Sequence, residues 1–343
     1  MNDAGRDAEL AERALAGDRR AFDALVEPYR RELHVHCYRM LASLHDAEDL
    51  VQESLLRAWR GLSTYRGRGP VRAWLYKITT NTCLNHLRRR PRVVVPADLD
   101  ERGPRPGAME ILWLEPYLDG LSDAQHDPAA HAVARDKTSL AFLCAVQLLP
   151  PLQRAVLILR DVLDFSAKET AEALDTTPVA VDSALRRARA RLAPDVKAEP
   201  PFAERKPAPE EEMLVRRFVR AWEAADIPTL VGLLARDATL AMPPAPIWFR
   251  GREAIGEFLS TVPAEGHLER IPLRRIRANG AWAVAAYMPG ERADRADAYG
   301  IMVLTIADGE IAAITGFADP DLFRIFGLPP SLEPGSPRAS ART

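Results

Sequence analysis

Arg186, Arg187, Arg189 and Arg191 stand within six positions of one another in AVDSALRRARARL, residues 180–192. The whole chain has formal net charge -2, so this positive charge is local. Guanidinium forks pair bidentately with phosphates and with the O6/N7 edge of guanine. Such a run can equally be a solvated helix face, and its surroundings decide between the two. Upstream, LPPLQRAVLILRDVL reads as a helix burying Leu152, Ala155, Val156 and Leu159. Ser166 and Glu169 then have the Ser-x-x-Glu spacing of a capping box. A short turn, Asp175-Thr176-Thr177, precedes Pro178, which suits the first position of a further helix. Val181, Ala184, Leu185, Ala188 and Leu192 recur at helical spacing and face inward. Two short helices joined by a tight turn, the second cationic outside, can lay that second helix in the major groove. Ser166, Lys168, Thr177, Asp182, Ser183, Arg186, Arg187 and Arg189 are the residues that would meet duplex DNA. Asp175 occupies the turn position where glycine is usual, and aspartate tolerates left-handed backbone.

Two further sets carry chemistry. In RAWLYKITTNTCLNHLRRRPR, Trp74, Lys77, Asn81, Asn85 and Arg88 share a helix face opposite Val71, Leu75, Ile78 and Thr82. An aromatic, amides and cations in one stripe suit unpaired bases and their phosphates. Arg89, Arg90 and Arg92 extend the charge, and Arg66 and Arg68 precede it in TYRGRGPV. Trp74 fits a core position equally well. In DAEDLVQESLLRAW, the residues Asp46, Glu48, Asp49, Gln52 and Glu53 lie outside an apolar stripe of Ala47, Leu50, Val51, Leu55, Ala58 and Trp59. Asp46 reads as the N-cap, with Glu48 and Asp49 in the first turn. The acidic face suits a basic protein partner or plain solvent.

The elements that position these residues fall into blocks. Residues 22–91 are helical in pattern, with Phe22, Leu25, Val26, Tyr29, Leu33, Cys37 and Met40 on one face and Pro28 interrupting it. Residues 92–134 are broken by proline, glycine and charge, and helical pattern resumes over 135–193. Residues 194–210 form a proline-rich linker. From 211 to about 330 the pattern is α+β. EEEMLVRRFVRAWEAADI is amphipathic through Leu214, Phe218, Ala221 and Trp222, and REAIGEFLSTV is a second helix. Strand pairs flank Asn279-Gly280 and Asp308-Gly309, the dipeptides of tight hairpins. Residues 331–343 read as a disordered tail. Helices covering one face of a curved sheet would enclose a pocket. Trp222, Trp248, Phe258, Trp282 and Tyr287 are candidates to line it, though any core uses such residues. Asp237, His267 and Asp297 are acid–base candidates without a motif to fix a role.

Composition narrows the class. The chain is 47% hydrophobic and 27% charged, with three cysteines. These numbers predict a soluble, reduced, cytoplasmic protein without disulfides, membrane span or secretion signal. His34, His36 and Cys37 are too closely spaced on a helix to converge on a metal. No metal or cofactor is expected, and any small-molecule ligand is left unnamed.

Together the stretches DAEDLVQESLLRAW, RAWLYKITTNTCLNHLRRRPR and the 149–192 segment resemble the extracytoplasmic-function (ECF) type of sigma-70 RNA polymerase sigma factor. Residues from 211 onward resemble a SnoaL-like polyketide-cyclase domain, and WLEPYLDGL resembles the linker of sigma factors that carry one. The resemblance implies a multidomain protein: two all-α domains, the second a helix-turn-helix, and an α+β cone. It implies that Asp46, Glu48, Asp49, Gln52 and Glu53 dock on the clamp helices of core RNA polymerase. It implies that Arg66, Arg68, Trp74, Lys77, Asn81, Asn85, Arg88 and Arg89 meet the −10 promoter element, and the helix-turn-helix the −35 element. Arg68 and Gly69 depart from the residues common in the base-capturing loop, and Asp182 and Ala184 from those around the serine of the recognition helix. The C-terminal domain is expected to contact the sigma domains in cis and modulate them, and the protein not to be an enzyme. The rival readings are a stand-alone helix-turn-helix regulator and a DNA-binding domain fused to a cyclase or isomerase.

Overall fold

Pro28 decides how the first helices divide. In the computed structural model, which describes residues 3–65, 70–89, 114–118, 140–192, 209–243, 247–290 and 295–333, helix α2 (Arg19–Val26) ends in a 3-10 turn at Glu27–Tyr29, and α3 (Arg30–Leu41) continues from it. Before them lies α1 (Asp3–Leu15), whose buried side chains include only the small Ala11 and Ala14. That stripe is too weak to announce a helix in sequence. Helix α4 (Leu44–Arg60) is capped by Ser43, whose backbone is extended and whose Oγ accepts from the Asp46 amide at 3.1 Å. The cap is therefore Ser43 and not Asp46. Both residue types can cap, and the chain takes the one whose backbone is extended after the left-handed Ala42 (φ 57°). Helix α5 (Val71–Arg89) buries Leu75 and Tyr76, and the Tyr76 ring meets His36 of α3 edge-on at 5.1 Å.

Helices α6 (Leu140–Gln147), α7 (Pro151–Leu157), α8 (Ala167–Ala173) and α9 (Pro178–Leu192) complete the same compact unit, with a π-helical turn at Ile158–Val162. Leu152, expected inside, is 49% exposed. It sits in the first turn beside the proline that starts α7, and the inward face begins with Ala155 and Val156. Arg154 joins the two halves. Its buried guanidinium donates to the carbonyl oxygens of Met40 on α3 (2.5 Å) and Gln147 (2.9 Å), and burial pushes its pKa down to about 10. Each guanidinium–carbonyl bond replaces water on a buried cation, so loss of one leaves a costly orphan. Tyr76 of α5 meets Phe165 edge-on at 5.4 Å, and the Arg72 guanidinium lies 5.5 Å from the same ring.

The second unit comprises residues 114–118 together with the chain from α10 onward. Helices α10 (Pro209–Glu223), α11 (Ile227–Gly232) and α12 (Arg252–Thr261) cover one face of a sheet. Its strands are β1 (Leu234–Ala241), β2 (Trp248–Arg250), β3 (Leu273–Ala278), β4 (Ala281–Pro289), β5 (Ala296–Ala307) and β6 (Glu310–Phe317), in the order β2-β1-β6-β5-β4-β3. Only β1 and β6 pair in parallel along that path. Helix α13 (Asp321–Ile325) follows, and β7 (Ser331–Leu332) pairs with β5. Both expected hairpins form. Asn279 and Gly280 have φ of 55° and 73°, and Asp308 and Gly309 of 51° and 79°, as type I′ turns require.

Residues 114–118 lie between the two helical segments in sequence, yet they fold onto the β3–β4 hairpin. The Asn279 side chain accepts from the Tyr117 amide at 2.8 Å, the Asn279 amide donates to the Tyr117 carbonyl at 2.8 Å, and Leu118 bridges to Ala278. Leu114, Tyr117 and Asn279 are all buried. The remaining linker residues, the tail beyond 333, and the sequence candidates Arg66, Arg68, Arg90 and Arg92 lie outside the described residues.

Candidate nucleic-acid and polymerase interface

The capping box forms as its spacing demands: Ser166 Oγ accepts from the Glu169 amide at 3.2 Å, and the Ser166 amide donates to Glu169 Oε2 at 2.8 Å. Asp175 holds the left-handed turn at φ 50°. Thr177 Oγ1 accepts from the Ala180 amide at 3.2 Å and starts α9. Ser166 and Thr177 thus cap helices as well as flanking the candidate surface. Val181, Ala184, Leu185 and Ala188 are buried, while Lys168, Asp182, Arg186 and Arg187 are exposed and Ser183 is half-buried. Arg189 also faces outward, its side chain 61% exposed, but it is paired with Asp161 through bonds of 3.0 and 2.7 Å. It braces α9 to the π turn. Val179, passed over in the sequence because it sits outside the inward periodicity, is 75% exposed at the start of α9. An exposed branched methyl pair there matches the hydrophobic C5-methyl of thymine.

Along α5 the polar stripe is real, but half of it is covered. Lys77 Nζ lies 2.5 Å from Asp175 Oδ1 and 2.9 Å from the Glu172 carbonyl oxygen. Asn81 Nδ2 donates to the Ala173 carbonyl at 3.0 Å. Both side chains therefore engage the turn of the helix-turn-helix. Trp74 is half-buried, its ring 5.2 Å from that of Tyr65. Asn85, Arg88 and Arg89 lie further along, with Asn85 Oδ1 accepting from Arg88 at 3.4 Å. The structure thus brings together the two surfaces that the sequence treated as separate.

On α4, Glu48, Asp49, Gln52 and Glu53 are exposed on one face. Asp46 departs from them: it is half-buried, 3.8 Å from His86 Nε2 on α5. Leu56, 46% exposed, completes the face at the spacing 49, 52, 53, 56. A leucine one turn beyond a run of acids was the available signal. An exposed apolar residue ringed by charge is the usual composition of a protein-docking patch.

In the second unit, Trp222 and Phe258 line a cavity; Trp248, Trp282 and Tyr287, named with them from the sequence, do not. Tyr287 lies on the other side of β4, edge-on to Phe323 at 5.0 Å. Trp282 stacks under the Arg277 guanidinium at 5.0 Å, and Trp248 sits on the edge strand β2. None of the acid–base candidates reaches the cavity. Asp237 is exposed on β1, His267 pairs with Glu269 at 3.0 Å, and Asp297 pairs with Arg295 at 2.6 Å. Among the described residues no cluster of His, Cys, Asp or Glu could hold a metal. His36 is fully buried with Nε2 2.9 Å from Thr80 Oγ1, and burial lowers its pKa to about 3. Cys37 faces Cys83 at 3.6 Å, and burial pushes its thiol pKa up.

Residues 25–93 match the family Sigma-70 region 2, residues 139–192 match Sigma-70 region 4, and residues 215–314 match the SnoaL-like domain. The chain is 42% identical over 334 residues to the ECF RNA polymerase sigma factor SigG of Mycobacterium tuberculosis, covering 95% of this chain and 89% of that one. The chain belongs to the ECF RNA polymerase sigma factors. This sigma factor is also 31% identical over 306 residues to SigJ of the same species, covering 87% and 91%. The crystal structure of SigJ superposes with a TM-score of 0.58 at 27% identity, over 88% of this chain and 97% of that one. In this sigma factor the acidic face of α4 and the polar stripe of α5 fall in region 2, and the helix-turn-helix falls in region 4. The relatives carry the names of sigma factors and not of enzymes. No helix among the described residues is long and apolar enough to cross a membrane.

Proposed function

We propose that this sigma factor docks on core RNA polymerase through α4, reads promoter DNA through α5 and α9, and is modulated in cis by its C-terminal domain. Glu48, Asp49, Gln52, Glu53 and Leu56 form the docking face toward a basic helical partner on the clamp. Arg186 and Arg187 neutralise phosphates or pair with guanine, Asp182 accepts from a base amino group, and Val179 meets a thymine methyl. Trp74, Asn85, Arg88 and Arg89 meet the downstream element, where strand opening exposes bases for stacking. Lys77 and Asn81 join them only when the α5–α8 contact opens, because the same donors cannot serve Asp175 and DNA together. The protein works in the cytoplasm, where polymerase and promoter are found.

The observation that carries the cis reading is the Tyr117–Asn279 pairing. The linker leaves region 2, enters the fold of the C-terminal domain at residues 114–118, and returns to region 4. A ligand or contact that shifts one domain thereby acts on the chain joining the other two, provided it favours one state over the other. The test is run-off transcription with purified core polymerase, comparing the full chain with one cut after Ala193. The proposal expects both to bind core and the two initiation rates to differ. Equal rates across a range of core concentrations would remove the regulatory part, and failure of both to support transcription would remove the whole.

A further inference from the structure

The cavity of the C-terminal domain measures about 180 Å³. It is framed by Trp222 from α10, Phe258 from α12, and Met242, Met288, Met302 and Ile314 from the sheet side. Among the described residues no carboxylate, imidazole, amine, guanidinium or thiol belongs to the lining, and the single hydroxyl there is that of Tyr299. The one indole N–H, on Trp222, is already spent on the Ile271 carbonyl at 3.1 Å, so the ring offers the cavity hydrocarbon alone. A charged ligand entering such a space would lose its hydration without a partner. An acid–base reaction would have only the Tyr299 hydroxyl to move a proton, with no second group to pair with it. A neutral apolar molecule meets neither obstacle.

Three features make this a site rather than a packing flaw. Closely packed interiors leave few voids larger than a water molecule, and apolar cavities near 150 Å³ stay dry and take up benzene. Three of the chain's seven methionines line this one cavity, and thioether side chains adapt to varied ligand shapes. Val262 and Tyr299 line the cavity yet remain 58% and 39% exposed, so the cavity wall reaches solvent at these residues. The space persists because small residues form part of its wall. Ala286 and Gly316 are lining positions, and even a methyl group at Gly316 would come within 3.3 Å of Met242 Cγ.

We infer that the C-terminal domain is a receptor for a small, neutral, hydrophobic molecule of about ten non-hydrogen atoms, the size of a fused bicycle or a short terpenoid. The inference concerns the cavity alone and holds whether or not the domain modulates transcription. The test titrates the full-length protein with naphthalene and, separately, with 1-naphthoate, which has the same ring and a negative charge. Calorimetry and the rise in melting temperature are the readouts. Saturable one-to-one binding of naphthalene, at least tenfold weaker binding of naphthoate, and at least tenfold weaker binding of naphthalene to Ala286→Met are expected. Met288→Phe, which narrows the same space from another position, replaces Ala286→Met if that variant does not fold. Absence of saturable naphthalene binding to the unmodified protein overturns the inference. So does equal affinity for naphthoate, or undiminished binding by a folded cavity-filling variant.

Discussion

Lys77 on α5 and Asp175 in the turn of the helix-turn-helix form an ion pair at 2.5 Å, joining the surface proposed for the −10 element to the one proposed for the −35 element. The side chains are 42% and 70% exposed, so the pair contributes at most about 1 kcal/mol. An exposed pair this weak would yield to promoter phosphates competing for Lys77 under the proposed function. Asp175→Asn keeps a residue that tolerates the left-handed turn and removes the charge. A rise of about two- to fivefold in affinity for promoter DNA is expected, measured by fluorescence anisotropy at fixed salt. The gain should disappear when Lys77→Ala is added. A gain of the same size in the Lys77→Ala background would show that Asp175 acts by repelling phosphate alone.

The acidic face of α4 should discriminate by charge and by shape. Asp49→Lys with Glu53→Lys is expected to weaken core polymerase binding at least tenfold with helicity unchanged. Leu56→Ala should weaken it less and without altering its salt dependence, since an apolar contact releases no ions. Surface plasmon resonance on immobilised core measures both. An unaffected dissociation constant in the double reversal would contradict the docking assignment.

Arg186, Arg187 and Arg189 are all exposed, but Arg189 is held by Asp161, so Arg186 and Arg187 should dominate binding to the upstream duplex. Alanine at a base-reading arginine should cost about 1–3 kcal/mol and relax specificity at one position. Alanine at a phosphate contact should lower the salt slope by about one. Arg189→Ala is expected to act differently, by destabilising the α9 anchorage on Asp161 at little cost in specificity. Titrations of a promoter fragment across salt concentrations separate the three.

His36 predicts a pH dependence of stability. Burial lowers its pKa in the folded state to about 3, whereas an unfolded histidine titrates near 6.5. Between these values the unfolded chain binds a proton that the folded chain does not, so stability falls as pH drops from about 6.5 toward 3. The slope from this residue approaches about 1.4 kcal/mol per pH unit. Denaturant unfolding of His36→Gln from pH 7 to pH 4.5 should show a flatter decline than the unmodified protein, despite a lower starting stability from the altered packing.

What could be read from sequence was local. The Ser166–Glu169 box, the Asp175 turn, the two Asn-Gly and Asp-Gly hairpins and the amphipathic α10 all follow from residues within a few positions of one another. The Ser43 cap was misread as Asp46 because both can cap, and backbone geometry three residues upstream decided. Of the five side chains named from the sequence for the cavity, Trp222 and Phe258 line it and the other three do not. A register shift beside Ala286 and Tyr287 disturbs the alternation by which Tyr287 might have been placed on the far face. Strand β1 was missed because Arg236 and Asp237 interrupt its apolar pattern. The Lys77–Asp175 and Tyr117–Asn279 contacts join residues 98 and 162 positions apart. No local pattern encodes such pairings, which depend on how finished elements pack.

The pairing of Tyr117 with Asn279 carries the cis regulation proposed for the C-terminal domain. Asn279→Gly preserves the type I′ turn, since glycine accepts positive φ, and removes the side-chain oxygen that receives the Tyr117 amide. Single-round run-off transcription, with saturating core polymerase and promoter DNA in common, compares this variant with the unmodified full-length chain. The account predicts a changed initiation rate, with core affinity retained and the C-terminal domain still folded by near-ultraviolet circular dichroism. An unchanged initiation rate, together with hydrogen exchange showing that the Tyr117 amide has lost its protection, would contradict it.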